Sequence, residues 1–249
     1  MNRLFRYLCI TASMLPFTQR LLAQQSGVIE YEVTAKTDPE RMRSFQRGGD
    51  DAPPIPDIIT FKSTFTFNAT NGKLTVERPN FGGDRRPPRD SSAQGGRRMG
   101  FRGNNGEYID LANKKYQQVF STFGEDKKTY YTEEDYIIAT DSKPSDKTKK
   151  IAGFTCKKAT VQLKDDTYTV WYTTDLPFSF SPINGLLPVN NAVVLGAEGG
   201  KRSYTATSVS LKPIADEGLV LPAGAEKISQ EQMREVRRQE MEKLRKRQQ

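Results

Sequence analysis

The sequence predicts a mainly β protein: a single antiparallel, curved open sheet or half-barrel followed by a C-terminal helix. Three observations lead there. Segments that alternate apolar and polar residues recur, as at residues 27–35, where Ile29, Tyr31 and Val33 alternate with Glu30, Glu32 and Thr34, the period of two of a half-buried strand. Such segments follow one another through short turns with no helical period between them, which marks an antiparallel sheet rather than βαβ units. Residues 229–249 run on without Gly or Pro, behind Ser229 and a Gln232 three positions later, the pattern of a capping box at a helix start.

Residues 1–23 carry Arg3 and Arg6, an apolar stretch from Tyr7 to Phe17 and the small-residue site Leu21-Leu22-Ala23, which together read as a secretory signal. The β domain is then expected over 24–228. After the first strand, 37–57 turn polar and Pro/Gly-rich and read as a long loop. Residues 59–69 place Ile59, Phe61, Phe65 and Phe67 on one face and Thr60, Lys62, Thr64 and Thr66 on the other. Asn71-Gly72 suits a type I′ turn, because both residues accept positive φ, and 73–78 return with Leu74 and Val76 inward. Residues 79–106 have no hydrophobic period and many Gly and Arg, and are expected to be a disordered excursion. Strands resume at 107–111, 116–123 and 128–131, and 141–150 read as a Lys-rich linker. A hairpin follows, 156–163 and 167–173 joined by Asp165-Asp166, and 201–211 supply a last strand. In the helix, Met233, Val236, Met241 and Leu244 make a thin apolar stripe, so it is expected to be exposed and frayed at its ends.

Composition excludes several chemistries. There is no histidine, hence no Ser-His-Asp or Cys-His arrangement and no imidazole proton shuttle. Cys9 would leave with the signal, so Cys156 stands alone; a disulfide framework and a structural zinc site are both excluded. No metal or cofactor is expected, and no catalytic residue is identified. Glu133-Glu134-Asp135 and Asp165-Asp166 are adjacent carboxylates whose side chains alternate across a strand, so they read as a solvated connection and a turn. Of the formal charge of +8, Arg3, Arg6 and Arg20 belong to the signal, leaving about +5 that sits largely in 79–106 and the C-terminal helix.

Two sets of residues remain as binding candidates. Trp171, Tyr172, Phe178, Phe180, Leu186 and Pro188 concentrate apolar surface at the end of a strand and in the loop behind it. Aromatics of this kind most often fill a core; the functional alternative is the lining of an apolar cavity for a lipid or other apolar ligand. Arg85, Arg86, Arg97, Arg98 and Arg102 could recruit an anionic envelope surface electrostatically, and nucleic acid is not an expected partner of an exported chain. Cys156 lies beside Lys157-Lys158, which would favour a thiolate if the sulfur were accessible. Alternation from Ala159, Val161 and Leu163 places it off the core face unless a bulge intervenes at the lysine pair.

The order of parts in 151–195, IAGFTCKKA followed by Trp171-Tyr172-Thr173 and then Gly185-Leu186-Leu187-Pro188, resembles the GLPGLI family of exported Bacteroidetes proteins. Tyr108-Ile109-Asp110-Leu111, Asn113-Lys114-Lys115 and Gly199-Gly200-Lys201 with Tyr204-Thr205-Ala206 extend the likeness over roughly half of the chain past the signal. The name-giving loop departs from the pattern, with Asn190 or Asn191 taking the positive-φ role of the missing glycine. The resemblance implies a lipoprotein-carrier-like sheet, by analogy of fold only, and carries no catalytic residues. The resulting expectation is a non-enzymatic protein of the periplasm or outer membrane that binds an apolar ligand or an envelope protein. The alternative is a carboxylate-dependent hydrolase or a Cys156-based redox protein. The oligomeric state is left open.

Overall fold

The computed structural model describes residues 26–38, 56–77, 106–123, 127–163, 166–215 and 218–246. In chain order the strands are β1 (Gly27–Lys36), β2 (Ile58–Phe67), β3 (Asn71–Val76), β4 (Gly106–Asp110), β5 (Lys115–Ser121), β6 (Thr129–Asp135), β7 (Ile137–Ile138) and β8 (Lys143–Ile151). Then come β9 (Phe154–Leu163), β10 (Asp166–Thr173), β11 (Leu186–Leu187), β12 (Val193–Glu198), β13 (Arg202–Leu211), β14 (Glu226–Lys227) and the helix α1 (Gln230–Lys246).

Twelve strands form one open sheet in the order β14-β6-β5-β4-β3-β2-β1-β13-β12-β10-β9-β8. It is the mainly β, open architecture with a C-terminal helix that the sequence pattern predicts. Every neighbouring pair is antiparallel except β14 on β6, and β7 with β11 makes a separate parallel pair. The sequence expectation of purely antiparallel pairing is corrected at these short additions. The first strand sits mid-sheet, between β2 and β13, with a bulge after Glu30. Its alternation is realised: Ile29, Tyr31 and Val33 are buried, and Glu30 and Glu32 are exposed.

The core lies where residues 174–192 fold over the β1–β2 face. Phe180 stacks on Phe65 of β2 with ring centroids 3.6 Å apart, and Phe178 tilts against Phe67 at 4.3 Å. The buried Tyr31 hydroxyl donates to the Val194 carbonyl at 2.8 Å, which removes the cost of leaving a polar group unpaired there. β12 is buried on both faces from Val193 to Ala197.

Several local expectations change. The β2–β3 turn is not at Asn71-Gly72 but at residues 68–71, where the Asn68 carboxamide oxygen accepts the Thr70 and Asn71 N–H groups at 2.9 and 2.6 Å. Gly72 is glycine for another reason: a Cβ there would lie 2.4 Å from the Phe65 ring. Val76, expected inward, is exposed. The Lys-rich stretch read as a linker is β8, an edge strand whose lysines discourage pairing with other chains. The helix is capped as expected, Gln232 N–H to Ser229 Oγ at 3.1 Å and Ser229 N–H to Gln232 Oε1 at 2.9 Å. It is docked rather than free. Met233 is buried, Glu240 accepts the Phe123 N–H at 2.9 Å, and the Arg237 guanidinium lies 5.6 Å from the Phe120 ring centroid.

Candidate functional site

A cleft of about 530 Å³ opens at the end of the sheet where β1, β10 and β13 meet the 182–185 turn. This volume is within the range of small-ligand sites. Ala35, Leu163 and Ile183 are its apolar lining, and Lys36, Asp166, Tyr168, Asn184, Lys201, Arg202 and Tyr204 supply polar groups. Local structure fixes their positions. The Lys36 N–H donates to the Lys201 carbonyl at 3.0 Å, tying the two lysine-bearing segments together. Gly199 lets the Tyr168 ring pass, since a Cβ there would lie 2.4 Å from it. Asn184 takes a φ of 47° and Gly185 one of 73°, conformations that Asn and Gly accept best.

The electrostatics are asymmetric. Asp166 accepts the Gly200 N–H at 2.9 Å, and that backbone hydrogen bond holds its carboxyl below the ordinary range. Arg202 donates to the Tyr204 hydroxyl at 3.3 Å. Glu107 of β4 is within electrostatic reach of Arg202. Burial pushes the Glu107 carboxyl up from its ordinary value, while the facing Tyr116 hydroxyl and the Arg202 and Arg237 charges draw it partly back. The arrangement offers cationic and hydroxyl donors over an apolar floor, which suits a polyhydroxylated ligand better than a lipid tail.

None of the six apolar candidates lines this cleft. Tyr172, Phe180, Leu186 and Pro188 are buried, with Trp171 and Phe178 partly so, and Phe178 and Phe180 belong to the aromatic stack of the core. Arg85, Arg86, Arg97, Arg98 and Arg102, like the segment 1–23, lie outside the described residues. Cys156 is buried, and desolvation pushes its thiol up to about 11. Cys156 and Ala159 are both buried although they differ in strand parity; the register shift near them, between Ser145 and Thr148, is in the neighbouring strand β8. Glu133 is a fastener: it accepts Lys227 and Gln117 at 2.9 Å each, and its carboxyl is lowered to about 2 by these two hydrogen bonds. Among the described residues no group of three potential metal ligands converges. Residue-by-residue reading missed Arg202 and Tyr204 as site residues. Their one signal was the Gly199-Gly200 pair just before them.

The fold and the cleft together define a β-sheet domain with a polar, cation-rich recess. A family model described as "N-glycanase peptide, N-terminal domain" matches residues 104–235, more than half of the chain, and the chain belongs to this family. Every cleft residue except Ala35 and Lys36 falls in the matched segment. Two solved structures of PNGF-II, in C2 and P21 space groups, are similar to the chain at 19% identity, with TM-scores of 0.54 and 0.52. Each match covers 85% of this chain and 32% or 33% of the PNGF-II chain. At that identity the likeness shows the fold, and the chain spans about a third of the length of these neighbours. No curated protein matches it.

These findings overturn the GLPGLI resemblance. The segments that carried it report sheet geometry: Ala152 and Gly153, with φ of 47° and 89°, turn β8 into β9, and Leu186-Leu187 pairs with Ile137-Ile138. Asn191 does take a positive φ, of 56°. The expected non-enzymatic binder of an apolar ligand or envelope protein is likewise replaced by a glycanase-related domain. The alternative of a carboxylate hydrolase or Cys156 redox protein gains no support, the thiol being buried. Family membership accords with an exported chain, and no helix among the described residues is long and apolar enough to cross a membrane.

Proposed function

We propose that this chain is the substrate-recognising part of an N-glycanase-type system, holding N-linked glycan or glycopeptide in the cleft between β1, β10 and β13. The observation that carries the reading is the match of residues 104–235 to the N-terminal domain of an N-glycanase. The cleft supports it chemically, since hydroxyl, guanidinium and ammonium donors over an apolar lining suit the polar edges and C–H faces of sugar rings. In this reading the chain supplies binding, and cleavage belongs to the other two thirds of length that the PNGF-II chains possess. Its place is the periplasm or outer membrane, supported by the signal-like segment 1–23.

The test is retention of a glycoprotein on the immobilised full chain, before and after its N-linked glycans are removed. Capture of the glycosylated form alone is expected. Equal capture of both forms, or of neither, contradicts the reading, and release of glycan by this chain alone contradicts the division of labour.

A further inference from the structure

The cleft has a charge bias that binding to a neutral sugar does not require. Lys36, Lys201 and Arg202 face it against a single carboxylate, Asp166. Asp166 is engaged by the Gly200 N–H. Among the described residues, none of the three cations forms a salt bridge. Glu107, the other acid near Arg202, is on the inner side of the sheet, where burial disfavours its charge. A concave site with excess positive charge, here three cations against one carboxylate in its lining, attracts and orients an anion more strongly than a flat surface does. The lysines of β8 make the contrast: Lys143, Lys147, Lys149 and Lys150 are exposed along a sheet edge and line no part of the cleft.

We propose that the cleft selects glycans bearing an acidic sugar, with the sugar carboxylate on Arg202 and its ring against Ala35, Leu163 and Ile183. The proposal rests on the glycan-recognition reading and adds the substrate class. Arg202 is suited to the anion because a guanidinium presents parallel N–H donors that match a carboxylate, and its hydrogen bond to Tyr204 restricts the fork's orientation. Asn184 is left to bind ring hydroxyls, beside the Tyr168 hydroxyl and the Asp166 carboxylate that interact with each other. Lys36 and Lys201, exposed on the rim, add a salt-screened attraction.

The experiment is calorimetric titration of the full chain with two N-glycopeptides that differ only in whether the terminal sugar carries a carboxylate, repeated with Arg202→Gln and with the double variant Lys36→Gln/Lys201→Gln. The acidic glycopeptide is expected to bind the natural chain about 10-fold tighter or more, the scale of a charge-assisted hydrogen bond. Arg202→Gln is expected to remove that difference, and the double variant to reduce it severalfold and flatten its salt dependence. Equal binding of the two glycopeptides to the natural chain overturns the acidic selectivity and leaves glycan recognition standing. Binding of neither overturns both. Persistence of the preference in Arg202→Gln also overturns the assignment. If circular dichroism shows that this variant does not fold, the exposed-lysine double variant decides the question, an unchanged preference contradicting the proposal.

Discussion

The aromatic stack under residues 174–192 and the cleft at the end of β13 lie in the same sheet and do opposite things. In the stack, Phe65, Phe67, Phe178 and Phe180 meet ring to ring, and the stabilisation is removal of apolar area from water. In the cleft, polar groups are held by backbone geometry at the edge of the core, with charge left over. Aromatic density in this chain marks the place where the sheet is held together, while the cleft proposed to face ligand sits where charged residues are positioned by glycines and backbone hydrogen bonds.

Phe180→Ala gives the largest expected effect. It deletes the ring that stacks on Phe65, and urea unfolding should show a loss of about 3–5 kcal/mol. Glycopeptide affinity measured on the folded fraction should stay unchanged; a parallel loss of affinity would break the distinction between the two regions.

Glu133→Gln comes next. It removes a carboxylate bonded to Lys227 and Gln117, costing about 1–3 kcal/mol near neutral pH. The folded-state pKa of Glu133, about 2, is below its unfolded value of about 4.3. Its contribution is therefore complete above the unfolded value and is lost as pH falls toward 2. The variant should lose that part of the acid dependence in the same pH window.

Ser229→Ala removes the cap of α1 and should cost about 1 kcal/mol, read as a lower thermal midpoint. Glu107→Gln is the smallest and has the opposite sign. Because the Glu107 carboxyl is raised in the folded state, its ionisation opposes folding at higher pH, and the penalty is relieved as pH falls through the folded pKa toward the unfolded one. The variant should be unchanged or up to about 1 kcal/mol more stable at neutral pH. A clear destabilisation would mean that the Glu107 charge holds Arg202 and Arg237 in place, which would sharpen the view of the cleft as a charge network.

Much of the fold was legible because strands with one buried face carry their period in the sequence: β1, β2, β9 and β10 all do, and the Ser229 and Gln232 cap is a local signal. β8 was not legible, since an edge strand with only Ile151 buried has no inward apolar row to alternate. The β2–β3 turn was misplaced because Asn71-Gly72 imitates a turn pair, when Gly72 answers to the Phe65 ring. The cleft was hardest to see. Lys36, Asp166, Asn184 and Arg202 are far apart in the chain and come together only through the β1–β13 pairing and the fold-back of 174–192, so no spacing announces them. The Trp171–Pro188 candidates shared the opposite difficulty: their composition is equally that of a binding wall and of a core, and only packing separates the two.

Amide chemical shifts of the full chain, followed as an N-linked glycopeptide is added, map directly where it binds. Perturbations centred on Lys36, Asp166–Tyr168, Asn184 and Lys201–Tyr204 are predicted. Perturbations centred on Trp171, Phe178 and Phe180 or along β8, with the cleft silent, would contradict binding in the cleft.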